Sequence, residues 1–262
     1  MKPPPRGGFL FPGVMHWLHL RKKQMKVALL GYGRMGKAIE QIAVDRGHQI
    51  VLTIDEHNTG DLTQANCAKA DVGIEFTGPD SAYQNVSKAI EFGLPVVCGS
   101  TGWLDRLKEI ELLCIKKAGS FIYASNFSVG VNIFFEVNKR LATLMSRHPE
   151  YEVQVTEIHH TAKKDSPSGT AITIAEQLMT SLPSKKRWVN HITENPQDLE
   201  IISERIDPAP GTHKVKYSSG IDDIEITHTA HNRKGFALGA VLAAEYIVSR
   251  KGVFTMKDVL GL

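Results

Sequence analysis

The sequence predicts an α/β protein in which a doubly wound parallel sheet is joined to a smaller α+β unit with a mixed sheet. From Lys26 to about Phe127, short apolar runs alternate with segments of helical character. From about Tyr151 to His231, runs that alternate apolar and polar residues follow a long amphipathic segment. Apolar strands between helices indicate a parallel sheet covered on both faces, and alternation indicates a sheet covered on one face.

The first half of the chain contains five predicted strands, in the order KVALL, QIVLTID, DVGIEFTG, PVVCGSTG and SFIYASNF. The turn GYGRMG separates the first strand from a helix that ends near Gly47. Further helices are predicted over about 81–91 and 103–117.

The second half begins with the predicted helix VNIFFEVNKRLATLMSRH and continues with the strands YEVQVTEIHH, LEIISERI, THKVKYSS and DIEITHTAH. A short helix is predicted over 168–180. The polar stretch from about Leu182 to Asp198, with Pro183 and Pro196, is predicted to be loop. The apolar segment KGFALGAVLAAEYIVSR is predicted to form a last helix that covers one of the two sheets.

Composition excludes several functional classes. Of the 262 residues, 42% are hydrophobic and 23% charged, which is ordinary for a globular protein, and no apolar run approaches a membrane span. Cys67, Cys98 and Cys114 have no metal-type or redox-type spacing, so we expect a cytoplasmic protein.

The net charge of +3 comes from the N-terminal residues 1–24, which hold five basic residues and no acid. Without them, 26 basic residues stand against 28 acidic ones, so no footprint for nucleic acid remains. Pro12 breaks the apolar part of this segment, which makes a poor signal peptide or membrane anchor. We expect residues 1–24 to be a loosely held or non-native extension, with Met25 as the natural start.

Gly31, Gly33 and Gly36 have the G-x-G-x-x-G spacing, directly after a strand and at the start of a helix. In this context the first glycine allows the tight turn, the second admits a pyrophosphate and the third lets helix and strand pack. The motif predicts a Rossmann-like dinucleotide site. The alternative is a glycine-rich helix start without a ligand.

Asp55 ends the second strand, where an acid suits the two hydroxyls of the adenosine ribose. Glu56 follows it and no arginine stands beside it, so a 2′-phosphate would meet carboxylates. We therefore expect NADH to be preferred over NADPH. Later strand ends, FTGP, GSTG and ASNF, should line the same crevice, although each is also ordinary turn chemistry.

The stretch EIHHTAKKDSPSGTA combines a near-neutral acid–base group, a cation and a helix start. His159 and His160 are neighbours at a strand end and should point to opposite faces, and Lys163 can return toward His159. The free N–H groups of Gly169 and Thr170, after the N-cap Ser168, suit a carboxylate. The alternative is solvated surface residues. We expect no metal, because the ligand spacing is missing, and no hydrolase elbow is present.

These motifs closely resemble the 4-hydroxy-tetrahydrodipicolinate reductase family, formerly dihydrodipicolinate reductase. Its signature E-x-H-x-x-x-K-x-D-x-P-S-G-T-A matches Glu157 to Ala171. G-R-M-G matches 33–36, G-T-T-G matches 99–102 with Ser100 for Thr, and A-N-F-S-V-G-V-N matches 125–132 with Ser125 for Ala. A late ITH-x-A…R…FA-x-GAV pattern matches 226–241, so the resemblance covers about Met25 to the C-terminus.

The resemblance implies NAD(P)H-dependent reduction of a cyclic dicarboxylate in the diaminopimelate route to lysine. It implies His159 and Lys163 as catalytic acid–base residue and proton donor, and His160, Gly169 and Thr170 as substrate contacts. The cofactor contacts that it implies are Gly31, Tyr32, Gly33, Arg34, Met35, Gly36, Asp55, Gly99, Ser100, Thr101, Ala124, Ser125, Asn126 and Phe127.

The family also implies a homotetramer built through the second sheet. We expect residues 25–129 and 234–262 to bind the dinucleotide and residues 130–233 to bind substrate, with hinges near 128–131 and 233–235. Two departures bear on cofactor choice: the glycine loop is one residue shorter than the common G-x-x-G-R-M-G, and Glu56 replaces a frequent arginine. The competing interpretations are a silent nucleotide sensor, which would lack His159 or Lys163, and an amino-acid dehydrogenase, which would lack the K-x-D-x-P-S-G-T segment.

Overall fold

The computed structural model describes residues 24–262. The predicted extension lies outside this range, except for Gln24. The first sheet contains six parallel strands in the order β11-β5-β4-β3-β1-β2. They are β1 (Lys26–Leu30), β2 (Gln49–Ile54), β3 (Val72–Glu75), β4 (Val96–Cys98), β5 (Ser120–Tyr123) and β11 (Gly252–Phe254).

Helices cover both faces of this sheet. They are α1 (Arg34–Asp45), α2 (Gln64–Cys67), α3 (Pro79–Glu91), α4 (Leu107–Lys116), α7 (Lys234–Ile247) and α8 (Met256–Leu260). The side chains of β1 alternate between two cores: Val27 and Leu29 pack with α1 and α7, whereas Ala28 and Leu30 pack with α3 and α4. The fold class predicted for this half is therefore confirmed.

The second sheet is mixed, with strand order β10-β9-β6-β8-β7. Its strands are β6 (Glu152–His159), β7 (Arg187–Val189), β8 (Asp198–Arg205), β9 (Gly211–Ser218) and β10 (Asp223–Ala230). β6 pairs parallel with β8 and antiparallel with β9. Helices α5 (Val129–Met145) and α6 (Gly169–Ser181) pack on one face, which explains why alternate residues of β6 and β9 are buried.

The prediction that about Leu182 to Asp198 is loop is wrong at two places. Arg187–Val189 forms the edge strand β7, and β8 already begins at Asp198. The ion pair between Arg187 and Asp198, at 2.8 Å, holds β7 against β8. A three-residue strand is too short to show a period in the sequence.

Helix α7, which was predicted as the last helix and is followed by the short helix α8, covers the first sheet. Its small residues let it lie against the backbone of the segment that links β5 to α5. A Cβ atom at Gly239 would stand 1.7 Å from the carbonyl oxygen of Phe127, so only glycine fits there. The strand β11, which follows α7 and pairs with β5, was not predicted. No helix in the described range is long and apolar enough to cross a membrane.

Candidate active site

The glycine turn after β1 combines two packing glycines with one that faces open space. A Cβ atom at Gly31 would lie 2.3 Å from the carbonyl oxygen of Phe76, and Gly31 has φ +103°. A Cβ atom at Gly36 would lie 2.2 Å from the carbonyl oxygen of Gly31. Gly33, the N-cap of α1, has no atom within 4 Å of its Cβ position. The helix start is thus open for the close approach of a phosphate.

A cleft of about 580 Å³ lies between this turn and the ends of β2 and β3. Asp55 is at its edge, where its Oδ1 accepts a hydrogen bond of 2.8 Å from the His57 N–H. Glu56 and His57 are exposed beside it. The lining residues are Gly31, Tyr32, Gly33, Ile54, Asp55, Glu56, His57, Thr59, Phe76, Thr77, Ser81 and Asn85.

The remaining residues predicted to contact the cofactor are either exposed, packed into the core of the first half, or part of a separate cavity. Arg34 and Thr101 are exposed, whereas the Met35 side chain packs against the core. Ser100 is buried behind the end of β4. Gly99 lies under the Phe76 ring, and Phe127 is buried with its ring centroid 5.8 Å from that of Phe76. A separate cavity of about 280 Å³ is lined in part by Ala124, Ser125 and Asn126.

His159 ends β6 and is buried, whereas His160 follows the strand and is half-buried. The His159 Nδ1 atom stands 2.9 Å from the Glu157 carboxylate. The two atoms form no hydrogen bond of ordinary geometry, so the contact is a close approach of imidazole and carboxylate. The Nε2 atom lies beside Gly211, where a Cβ atom would be only 3.1 Å away.

Glu157 connects the histidine with the start of α6. Its Oε1 accepts hydrogen bonds from the Ser168 N–H at 3.1 Å and from the Arg205 guanidinium at 3.0 Å. Burial opposes ionisation, but His159, Ser168 and Arg205 together hold the pKa of Glu157 well below its usual range. Glu157 was not among the predicted site residues, although strand alternation places residues 157 and 159 on the same face.

His213 on β9 completes this buried cluster. Its ring centroid lies 5.2 Å from that of His159, and its Nε2 is 3.3 Å from the Ser168 hydroxyl. Burial, with the nearby charges of His159 and Lys163, lowers the pKa of His213 to about 3. His213 is therefore a neutral imidazole at physiological pH. A single histidine in an alternating strand offers no sequence signal for such a position.

The Lys163 ammonium donates hydrogen bonds to both carboxylate oxygens of Asp165, at 2.7 and 2.8 Å. The return of Lys163 toward the His159 imidazole stays a prediction; the partner that the structure gives the ammonium is Asp165. Asp165 lies two residues further along the chain and binds the Lys163 ammonium. Although burial opposes it, this pairing lowers the pKa of Asp165.

The N–H groups of the first two residues of α6, Gly169 and Thr170, have no hydrogen-bond partner among residues 24–262 and can bind an anion. The Ser168 hydroxyl caps the helix by accepting a hydrogen bond of 3.2 Å from the Ala171 N–H. Gly169 and Thr170 are the first helical residues, and space is open around the Cβ position of Gly169. The Thr170 hydroxyl accepts a hydrogen bond of 3.2 Å from the Asn126 amide, which links this helix to the first half of the chain.

A metal ion could be held only poorly here. Glu157, His159 and His213 each offer one ligand atom, and these atoms lie within 4.8 Å of one another. However, Arg205 already neutralises Glu157, and the Lys163 charge acts on His213. These cations oppose a further positive charge, and the group is better suited to acid–base chemistry.

A dinucleotide-type glycine turn on one sheet and an acid–base cluster beside an anion-binding helix on another define a nucleotide-dependent oxidoreductase. The family model for the N-terminus of dihydrodipicolinate reductase matches residues 25–127, and the model for its C-terminus matches residues 130–260. The chain belongs to the 4-hydroxy-tetrahydrodipicolinate reductase family.

Individual relatives agree with this assignment. The 4-hydroxy-tetrahydrodipicolinate reductase of Christiangramia forsetii is 48% identical over 241 residues, which span 90% of this chain and 98% of that protein. The enzyme of the same name from Methanoculleus marisnigri is 36% identical over 200 residues, covering 75% of this chain and 78% of that one. A dipicolinate-bound dihydrodipicolinate reductase from Paenisporosarcina sp. TG-14 shares the fold, with TM-score 0.70, 20% identity and coverage of 90% and 98%.

Proposed function

We propose that this chain reduces 4-hydroxy-tetrahydrodipicolinate, or the dihydrodipicolinate formed from it by loss of water, to tetrahydrodipicolinate in lysine biosynthesis, with NADH as the preferred reductant. The observation that carries the proposal is the Asn126–Thr170 hydrogen bond, because it connects the segment after β5 with the carboxylate-binding start of α6. This bond brings the start of α6 next to the segment that follows β5.

In this proposal the start of α6 binds a substrate carboxylate through the Gly169 and Thr170 N–H groups and the Thr170 hydroxyl. His160, half-buried directly after β6, makes a further substrate contact. A bound nicotinamide supplies hydride from its C4 to the substrate ring. Lys163 supplies the proton, and His159 is the second acid–base group of the site.

The pairing of Lys163 with Asp165 suggests how the proton donor is brought to the substrate. Both oxygens of the Asp165 carboxylate accept hydrogen bonds from the Lys163 ammonium, so Asp165 holds the donor in place before the substrate binds. Exchange of Asp165 for a substrate carboxylate would then bring the charged donor to the substrate. Arg205 supports this loop, since it also donates to the Asp165 carbonyl at 2.7 Å.

The preference for NADH rests on Asp55 and Glu56. Both line the cleft, and Glu56 is exposed at its rim. A 2′-phosphate would approach these carboxylates without a compensating cation among the described residues that line the cleft. We expect Glu56→Arg to raise the use of NADPH relative to NADH.

The proposed function is tested by following the oxidation of NADH and of NADPH with enzymatically generated substrate. We expect substrate-dependent oxidation, with kcat/KM higher for NADH. Oxidation that does not depend on the substrate would contradict the proposed reaction, whereas a clear NADPH preference would contradict only the cofactor argument.

Three further assignments belong to this proposal. Residues 25–129 with 234–262 would bind the cofactor and 130–233 the substrate, in keeping with the two sheets. A homotetramer joined through the second sheet is supported by the free edge of β10 and the exposed Ile221 and Ile224. Cytoplasmic location is supported by three buried cysteines that form no disulfide.

A further inference from the structure

Glu75, the last residue of β3, is a buried carboxylate without an obvious structural reason. It is 0% exposed, and no basic side chain of residues 24–262 forms an ion pair with it. A buried carboxylate without a cation needs hydrogen-bond donors. Its donors all belong to segments that border the proposed cofactor crevice.

Four donors converge on this carboxylate. Its Oε1 accepts from the Thr77 N–H at 2.8 Å, from the Thr77 hydroxyl and from the Ser100 hydroxyl at 3.0 Å. Its Oε2 accepts from the Cys98 thiol at 3.0 Å. The Ser81 hydroxyl in turn donates to the Thr77 hydroxyl at 2.9 Å.

These contacts determine which hydroxyl protons are already used and which lone pairs remain. A hydroxyl has one proton to donate and lone pairs with which to accept. Ser100 and Thr77 both direct their protons to Glu75, and the Thr77 N–H is used there as well. What these two hydroxyls can still offer a ligand is therefore acceptor capacity, part of which the Ser81 hydroxyl already uses at Thr77.

We propose that Glu75 is a positioning residue that fixes the Thr77 and Ser100 hydroxyls as hydrogen-bond acceptors for the nicotinamide nucleoside. The groups that suit such acceptors are its ribose hydroxyls and carboxamide NH₂. Phosphates need donors, which the open helix start at Gly33 offers on the other side of the cleft. One wall of the cleft, at Gly33, thus offers donors, and the other, at Thr77 and Ser100, offers acceptors. This difference sets the direction in which the cofactor lies. This inference rests on the proposed use of a nicotinamide cofactor.

The variant Glu75→Met tests this, because loss of both carboxylate oxygens frees the Thr77 and Ser100 hydroxyl protons to turn toward a ligand. Binding of NADH is measured by titration of nicotinamide fluorescence, and binding of ADP by calorimetry. We expect the dissociation constant for NADH to rise on the order of tenfold, while that for ADP, which lacks the nicotinamide nucleoside, changes less than about twofold. Glu91→Met, the same change at an exposed position of α3, is the matched control.

Equal weakening of NADH and ADP would overturn the proposal, since it would indicate a general disturbance of the domain. So would NADH binding equal to that of wild type. If Glu75→Met does not fold, Ser100→Ala decides, because removal of the acceptor must weaken NADH binding and spare ADP binding. A wild-type chain that binds neither NADH nor NADPH would contradict the proposed function itself.

Discussion

The Asn126 amide donates to the Thr170 hydroxyl over 3.2 Å, and its orientation is fixed by its other end. The Asn126 Oδ1 accepts a hydrogen bond of 2.9 Å from the Ser128 N–H, so Nδ2 must face Thr170. Because Thr170 accepts this bond, its own proton is available for a substrate carboxylate. Asn126 thus orients the Thr170 hydroxyl, at the start of α6, as a hydrogen-bond donor.

Asn126→Asp should therefore impair substrate binding more than Asn126→Ala. The new carboxylate takes the Thr170 proton and also repels a substrate carboxylate, so we expect the KM for substrate to rise on the order of tenfold or more beyond the alanine variant. Steady-state kinetics at saturating cofactor measure this. Equal KM values for the two variants would show that Asn126 does not orient Thr170.

The three glycines of the turn should separate into two classes. Gly33→Ala meets no atom within 4 Å, so we expect an unchanged melting temperature and a loss of NADH affinity on the order of tenfold. Gly31→Ala meets the Phe76 carbonyl and should destabilise the fold itself. Thermal melting and NADH titration on both variants, with Gly220→Ala as the unobstructed control, distinguish these outcomes. Unchanged NADH affinity in Gly33→Ala would contradict the phosphate site.

The contact between α7 and Phe127 should dominate the stability of the first half. Gly239→Ala places a methyl group 1.7 Å from a carbonyl oxygen, and we expect the free energy of unfolding to fall by about 3 kcal/mol or more. Gly235→Ala, on the same helix, meets its nearest atom at 3.5 Å and should cost less than about 1 kcal/mol. Urea unfolding of the pair measures the difference. Equal stability would mean that α7 does not pack this closely.

Burial of neutral His213 makes stability depend on pH. The folded pKa of about 3 lies below the ordinary value of 6.5, so the unfolded chain binds more protons between these values and stability falls as the pH falls. Between about pH 7 and pH 5 the free energy of unfolding should fall by about 2 kcal/mol because of His213. In His213→Gln this contribution is absent, so the plot of unfolding free energy against pH should be flatter over the same range. Glu157, whose pKa is lowered, contributes in the same direction only below its ordinary value of 4.5. An unchanged slope in the variant would contradict the assignment.

The sequence predicted the elements that have a clear period, and it failed where strands are short. The alternation in β6 and the apolar runs of β1 to β5 were readable, but β7 and β11 have only three residues each. They become strands because β8 and β5 offer them partners. Pairing of this kind is a tertiary property.

The candidate site shows the same division. The glycine turn and the segment from His159 to Thr170 are contiguous, so their chemistry could be predicted from spacing. His213 and Arg205 come to the site through register: β9 places His213 opposite Glu157, and β8 places Arg205 opposite His159. The position of Glu75 in the site could not be predicted, because in sequence a buried acid at the end of an apolar strand looks the same as an exposed one.

The central claim, that Lys163 delivers the proton during hydride transfer, is tested most directly by comparing the turnover of Lys163→Ala and Lys164→Ala. Lys163 is half-buried and paired with Asp165, whereas Lys164 is an exposed neighbour. We predict that kcat at saturating NADH and substrate falls by about 100-fold or more in Lys163→Ala and less than about twofold in Lys164→Ala. Undiminished turnover in Lys163→Ala would contradict the account.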